Sequence, residues 1–200
     1  MLPVLSLKTH LTTRQDWCIT PLQFSLGRDR TLSRMNIGVL TISDRSAQGE
    51  RADASGPLII DFITGRLSAV IARQAVIPDE FETIRDTLTA WADQDDLDVI
   101  LTTGGTGFAT RDVTPEATRA VIQREAPGMV EAMRAASLAV TPHAMLSRAV
   151  AGIRGRTLII NLPGSPKAVR ENLAVIVSVL PHAVQLLRDK PSAEAGHRLA

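Results

Sequence analysis

From residue 35 onward the chain alternates short β-branched runs with longer stretches in which apolar residues recur every three or four positions. That alternation is the pattern of strands joined by crossover helices. It predicts an α/β fold, a three-layer domain with a mainly parallel central sheet flanked by helices. "IGVLTI" at 37–42 predicts a first strand, 56–67 a helix with Pro57 in its first turn, and "VIARQAVI" at 70–77 a second strand. Over 79–94, Phe81, Ile84, Leu88 and Trp91 fall on one helical face, ahead of a strand at 98–103.

After a glycine loop, "VTPEAT" offers Thr114 as N-cap and Pro115 at the first helical position, opening a helix expected to run to about Glu125. Pro127 and Gly128 interrupt it. A further helix follows with Val130, Met133, Ser137 and Val140 on one face, then a buried strand at 157–161. Val169, Leu173, Ile176 and Leu180 stripe a closing helix that Pro181 is expected to break. These elements make one domain over 35–190, between a poorly ordered extension at 1–34 and a loose tail at 191–200. Met35 opens the first patterned strand and is an alternative start of translation.

Composition narrows the function classes. The 22 basic and 21 acidic residues nearly cancel, so the charge footprint of a nucleic-acid binder is missing, although 1–34 holds five basic residues against two acidic ones. No apolar run approaches the roughly 20 residues that cross a bilayer. The single cysteine, Cys18, has no internal disulfide partner, and the four histidines lack metal-ligand spacing. A cytoplasmic protein that contacts neither nucleic acid nor membrane is expected.

Two predicted strands, 98–103 and 157–161, end in glycine-containing loops that lead into helices. In open α/β sheets that edge binds ligands, and loop N–H groups and helix amino termini favour anionic ones. "GGTG" at 104–107 fits neither a P-loop nor a dinucleotide fingerprint, so by itself it is a weak phosphate signal. Asp79 and Asp112 fall on loops near these strand ends. Asp79, three residues before Glu82, reads equally well as a capping box; Asp112 has no capping job, because Thr114 and Pro115 already account for the helix start, and its alternative is a solvated loop carboxylate. Carboxylates beside a phosphate cradle make sense when a divalent cation lies between them. Magnesium, which binds one or two carboxylates together with substrate phosphates, suits such a site and points to phosphoryl or nucleotidyl transfer.

Other polar positions stay open between a local job and ligand contact. Ser43 and Asp44 end the first strand on the same edge, where a plain turn also explains them. Ser137 interrupts an apolar helical stripe and can bond back to its own helix. Ser147 and Arg148 can address an anion or lie on the surface. Asn161 ends a buried strand, where a ligand or a loop would satisfy its amide. Pro163 and Gly164 belong to the second loop and are candidates for substrate contact with it.

In this order "TISDRS", "IPDE", "TTGGTGFATRDVTPEAT", "EAPGM", "MLSRAVAGIRG" and "LIINLPGSPKAV" closely resemble the molybdopterin adenylyltransferases. These are the Mog-type bacterial enzymes and the G-type domains of plant molybdenum-cofactor proteins and of gephyrin, and the likeness covers about residues 36–188. It implies magnesium-dependent transfer of AMP from ATP to the terminal phosphate of molybdopterin, with ATP as co-substrate. Asp79 and Asp112 match the family's two important aspartates, and Gly104, Gly105, Thr106 and Gly107 its nucleotide and phosphate segment. Ser137, Ser147 and Asn161 match positions linked to substrate binding or catalysis. A homotrimer and contact with the molybdenum-insertion enzyme are implied as well. A related B-type group carries "GD-x-A-P-E-A", whereas this chain has "RDVTPEA" and sides with the adenylyltransferases. The rival reading is a catalytically silent molybdopterin carrier or scaffold.

Overall fold

The computed structural model describes residues 34–188, so the extension at 1–34, except its last residue, and the tail at 191–200 lie outside the described residues. Six strands form one sheet: β1 (Met35–Ile42), β2 (Ala69–Ile77), β3 (Val99–Thr103), β4 (Arg124–Glu125), β5 (Ala151–Arg154) and β6 (Thr157–Leu162). The helices are α1 (Asp44–Ala47), α2 (Ser55–Thr64), α3 (Phe81–Gln94), α4 (Thr114–Val121), α5 (Pro127–Leu138), α6 (Pro166–Ile176) and α7 (Leu180–Leu187), and a 3₁₀ turn spans Pro142–Leu146.

Strand order is β2-β1-β3-β6-β5-β4. The first four strands are parallel, whereas β5 runs antiparallel to β6 and β4 to β5. The sheet is therefore mixed, with a parallel heart. Side chains of its central strands alternate between two cores, as the two-residue period of a strand requires. Ile37, Val39, Val99, Leu101, Leu158 and Ile160 face a core with residues of α2, α5, α6 and α7. Leu40, Ile42, Ile100 and Ile159 face the opposite core with residues of α3 and α4. Three layers result. Burying an isoleucine or leucine on either side stabilises the fold by about 1.5–3 kcal/mol.

The 3-4-3 spacing in α3 does what it predicts: Ile84 and Leu88 are fully buried, with Phe81 and Trp91 packed beside them. Opposite Trp91, β1 carries Gly38, where a Cβ would come 2.8 Å from Leu97 and 2.9 Å from the indole.

Four local expectations are corrected. The helix from 114 stops at Val121, because Gln123 and Ala126 donate their N–H groups to the carbonyls of Ile153 and Ala151 and so hold β4, which lies between them, on the antiparallel edge. Val140 lies beyond the end of α5 and is exposed, while Val130 and Met133 are buried. The helix at 127 begins at Pro127, which suits an N1 position, so the proline opens that helix. Pro181 likewise falls in the first turn of α7, and the break lies before it, between Ile176 and Leu180. Leu180 stays buried on that second helix.

Candidate active site

Parallel strands bring their carboxyl ends to one edge, and four connections meet there: those after Ile42, Ile77, Thr103 and Leu162. The glycine loop is built for close approach. Gly104 has φ +99°, and a Cβ on it would fall 2.1 Å from the carbonyl oxygen of Ile42. Gly105 has φ +61°, and its Cβ would come 2.3 Å from Thr114 Oγ1 and 2.9 Å from Asp79 Oδ1. Only glycine fits such positions at low cost. The Thr114 hydroxyl donates to the Gly104 carbonyl at 3.0 Å, and its N–H to the Gly105 carbonyl at 3.1 Å. Thr114 is therefore a loop anchor, correcting the expected N-cap; Val113 holds that place without a side-chain cap.

The second loop rests on the first. A Cβ at Gly164 would lie 3.4 Å from Gly104 Cα. Thr103 Oγ1 donates to the Pro163 carbonyl at 2.7 Å, and Ser55 Oγ to the Gly164 carbonyl at 3.0 Å. Ser55 is itself placed by Asp53, whose carboxylate accepts the N–H groups of Ser55 and Gly56 and the Thr41 hydroxyl. Sequence reasoning missed Asp53, although an aspartate just ahead of an apolar helical run is a capping signal.

Asp79 does not cap α3, whose N-cap is Glu80 without a side-chain bond, so the capping-box alternative is set aside. It forms a reciprocal pair with Asp44: the Asp44 N–H donates to Asp79 Oδ2 at 2.8 Å, and the Asp79 N–H to Asp44 Oδ1 at 2.9 Å. Arg111 closes on Asp44 with two bonds of 3.0 and 2.8 Å. The hydrogen bonds from Arg111 hold the Asp44 carboxyl below its ordinary range. Asp79 is pushed the other way, first by burial and then by the negative charges of Asp44 and Asp112. Ser43 caps α1 through Ser46 N and also accepts from Arg51.

Asp112 Oδ2 accepts the Ala109 N–H at 2.9 Å and lies against Gly107, where a Cβ would be 2.9 Å away. Arg148 clamps this loop, bonding the Gly107 carbonyl at 2.7 Å, the Asp112 carbonyl and the Glu116 carboxylate. Its guanidinium is thus occupied by protein groups, and its N–H donates to the Thr106 carbonyl.

Beside the loop opens a cavity of about 440 Å³, a size suited to a nucleotide or small cofactor. Gly105, Thr106, Gly107 and Asp112 form one wall, with Ser137, Ser147, Asn161, Pro163 and Gly164 among the other residues around it. Ser43, Asp44, Asp79, Gly104 and Arg148 are not in that lining. They hold the neighbouring loops in place. Asn161 is fully buried and nearly saturated: its Oδ1 accepts from Val150 N, and its Nδ2 donates to Thr102 and Thr118. Of the two readings for Asn161, the structure shows the pinning bonds. Arg134, Thr141, His143 and Asn172 also line the cavity and were missed, since nothing in their local sequence marks them.

The donor set fits magnesium on the protein side. Asp79 Oδ1 and Asp112 Oδ1 have no hydrogen bond to the described residues, while each Oδ2 is fixed by a backbone N–H. Nearby negative charge raises the cost of ionising Asp79, which a cation would relieve. Among the described residues no group of three or more His, Cys, Asp or Glu converges on one point, so further ligands must come from substrate and water. Also among them, no helix is long and apolar enough to cross a membrane.

A family described as "probable molybdopterin binding domain" matches residues 38–182. Gephyrin of Dictyostelium discoideum is 49% identical over 166 residues, 78% of this chain and 23% of that protein. This chain thus spans about a quarter of that relative. Molybdopterin adenylyltransferase of Helicobacter pylori is 42% identical over 157 residues, 78% of this chain and 89% of the relative. The crystal structure of the molybdopterin biosynthesis enzyme MoaB from Thermus thermophilus is 50% identical, with a TM-score of 0.74 over 78% of this chain and 98% of that one.

Proposed function

Because this chain belongs to the family of probable molybdopterin binding domains, we propose that it is a molybdopterin adenylyltransferase acting in molybdenum cofactor biosynthesis. In that reaction a terminal phosphate oxygen of molybdopterin bonds to the α-phosphorus of ATP. The bond from that phosphorus to the bridging oxygen breaks, and pyrophosphate leaves with the electron pair. One observation carries the reading: a glycine loop packed directly against two aspartates, Gly105 on Asp79 and Gly107 on Asp112, each of which keeps one oxygen unspent. Relatives named molybdopterin adenylyltransferases support it.

Asp79 and Asp112 would hold magnesium in this scheme. When bound, the ion neutralises charge on the polyphosphate. The chain's own residues do the positioning. In this scheme the loop at 104–107 would receive the anion, while Arg111 and Asp44 fix Asp79 and Arg148 fixes the backbone of Asp112. Catalysis here is chiefly placement and charge neutralisation, as for other phosphoryl transfers.

The test is incubation of the full chain with molybdopterin, magnesium and ATP labelled at the α-phosphate. Label should appear on molybdopterin with equimolar pyrophosphate. Tight molybdopterin binding without label transfer would instead make the chain a silent carrier. We further propose a cytoplasmic homotrimer that hands its product to the molybdenum-insertion enzyme. The exposed Leu138, Val140, Met145 and Leu146 offer apolar surface for such contacts. Light scattering that reports a monomer at micromolar concentration would refute the trimer.

A further inference from the structure

Ser137 stands on α5 and Asn172 on α6, 35 residues apart, and both line the cavity. Asn172 is buried, with 6% of its surface exposed. Its Nδ2 makes two bonds, to the Ala168 carbonyl at 2.8 Å and to Ser137 Oγ at 3.1 Å. The first fixes the direction of the amide. A backbone carbonyl only accepts, so the atom facing it must be the nitrogen, and turning the amide over would set two acceptors against each other. The same nitrogen faces Ser137, so the serine oxygen accepts there and must send its own proton elsewhere.

Within a helix one outlet for such a proton is the carbonyl four residues back. Thr64 and Thr87 use it, at 2.8 and 2.7 Å. Ser137 makes no such bond to the described residues, and the residue lines the cavity. We infer that Asn172 is a positioning residue that commits the Ser137 hydroxyl to donate a hydrogen bond to an acceptor atom of the cavity's ligand. The inference rests on the cavity binding molybdopterin and ATP as proposed above. It gives a reason for a buried amide beside a substrate site, where an apolar residue would otherwise pack at lower cost.

A double-mutant cycle tests this on the full chain, with molybdopterin and ATP titrated separately and thermal melting measured for every variant. Ser137→Ala should weaken one of the two probes by about three- to tenfold, the worth of one neutral hydrogen bond. Asn172→Ala frees the hydroxyl to turn back onto its helix and should weaken the same probe by about threefold. Asn172→Asp replaces the donor by an acceptor, draws the serine proton away from the cavity, and should approach the Ser137→Ala loss. In a Ser137→Ala background, Asn172→Ala should change binding no further. Equal losses in both backgrounds, or lower melting with binding unchanged, would make Asn172 a mere tie between two helices and overturn the inference. Unaltered binding of both probes to Ser137→Ala would overturn it too. The titrations need no turnover, so protein that binds both probes but transfers no AMP refutes the proposed reaction alone; failure of the wild type to bind either probe overturns both.

Discussion

Two carboxylates at opposite ends of the same sheet have opposite surroundings. Asp98, just before β3 at its amino end, is buried and fully engaged: Arg188 grips both oxygens, and Asn36 N donates to Oδ2 at 2.6 Å. Asp79, beyond β2 at the carboxyl end, has one oxygen held by a backbone N–H, one unspent, and two like charges close by. The first arrangement closes a fold. The second keeps a charge in waiting, which is destabilising unless a cation or substrate group uses it.

The comparison can be broken most directly by removing the metal. Chelator should abolish AMP transfer while leaving the melting temperature unchanged, since the protein alone supplies only part of a coordination shell. Manganese should restore part of the rate and calcium little. Full transfer without any divalent ion would give Asp79 and Asp112 other work.

Substitutions come next in size. Asp112→Asn and Asp79→Asn should each lower kcat by about a hundredfold or more, as loss of one electrostatic element does. Asp79→Asn should melt no lower than the wild type at neutral pH, because it also removes a repelled charge. Asp98→Ala should behave the other way round. Transfer per folded molecule is kept, but the fold loses about 3 kcal/mol with the carboxylate of a largely buried ion pair, measurable by urea unfolding. If Asp98→Ala lost turnover and Asp79→Asn only stability, the two ends would have to exchange roles.

The smallest effect is in pH. Folding raises the Asp79 pKa above the ordinary 3.8, so the native state holds that proton more tightly than the unfolded chain does. Its contribution therefore favours the fold as pH falls through the raised value and is absent above it. Asp44 has the opposite sign: its depressed pKa gives stability that is present above 3.8 and lost as pH falls through the folded value. Urea unfolding of Asp79→Asn and Asp44→Asn against pH should differ from the wild type with opposite slopes. The acid limb of kcat/KM should also lie above pH 3.8 and move down as magnesium is raised, because metal and proton compete for one carboxylate. An acid limb insensitive to magnesium would separate Asp79 from the metal.

Much of the candidate site was legible in the chain because its parts are local. The glycines of 104–107 announce a loop that tolerates positive φ, and two of them use it. A lone aspartate at 112, after such a loop, stands out by lacking a helix to cap. Asp79 was ambiguous from its neighbours, since Glu82 three residues on imitates a capping box. Its actual partner, Asp44, is 35 residues away, and Arg111 is 67 residues from that partner. Spacing within a segment says nothing about such pairs.

By itself the sequence determined the layers. Apolar periods of two and of three to four residues state which face of each element must leave water, and burial then compels sheet between helices. It did not determine the antiparallel edge, where β4 has two residues and β5 contains Gly152, too short and too mixed to show a period. Nor did it determine which oxygen of Asp79 is free, that Asn172 meets Ser137, or that Arg148 serves the loop backbone in place of an anion. Those depend on polar groups brought within about 3 Å of each other by packing of distant segments, and hydrogen bonds fall away steeply beyond that distance. Hydrophobic burial is non-directional and survives averaging along a chain, so it is legible in one dimension; directional bonding exists only after the chain has closed in three.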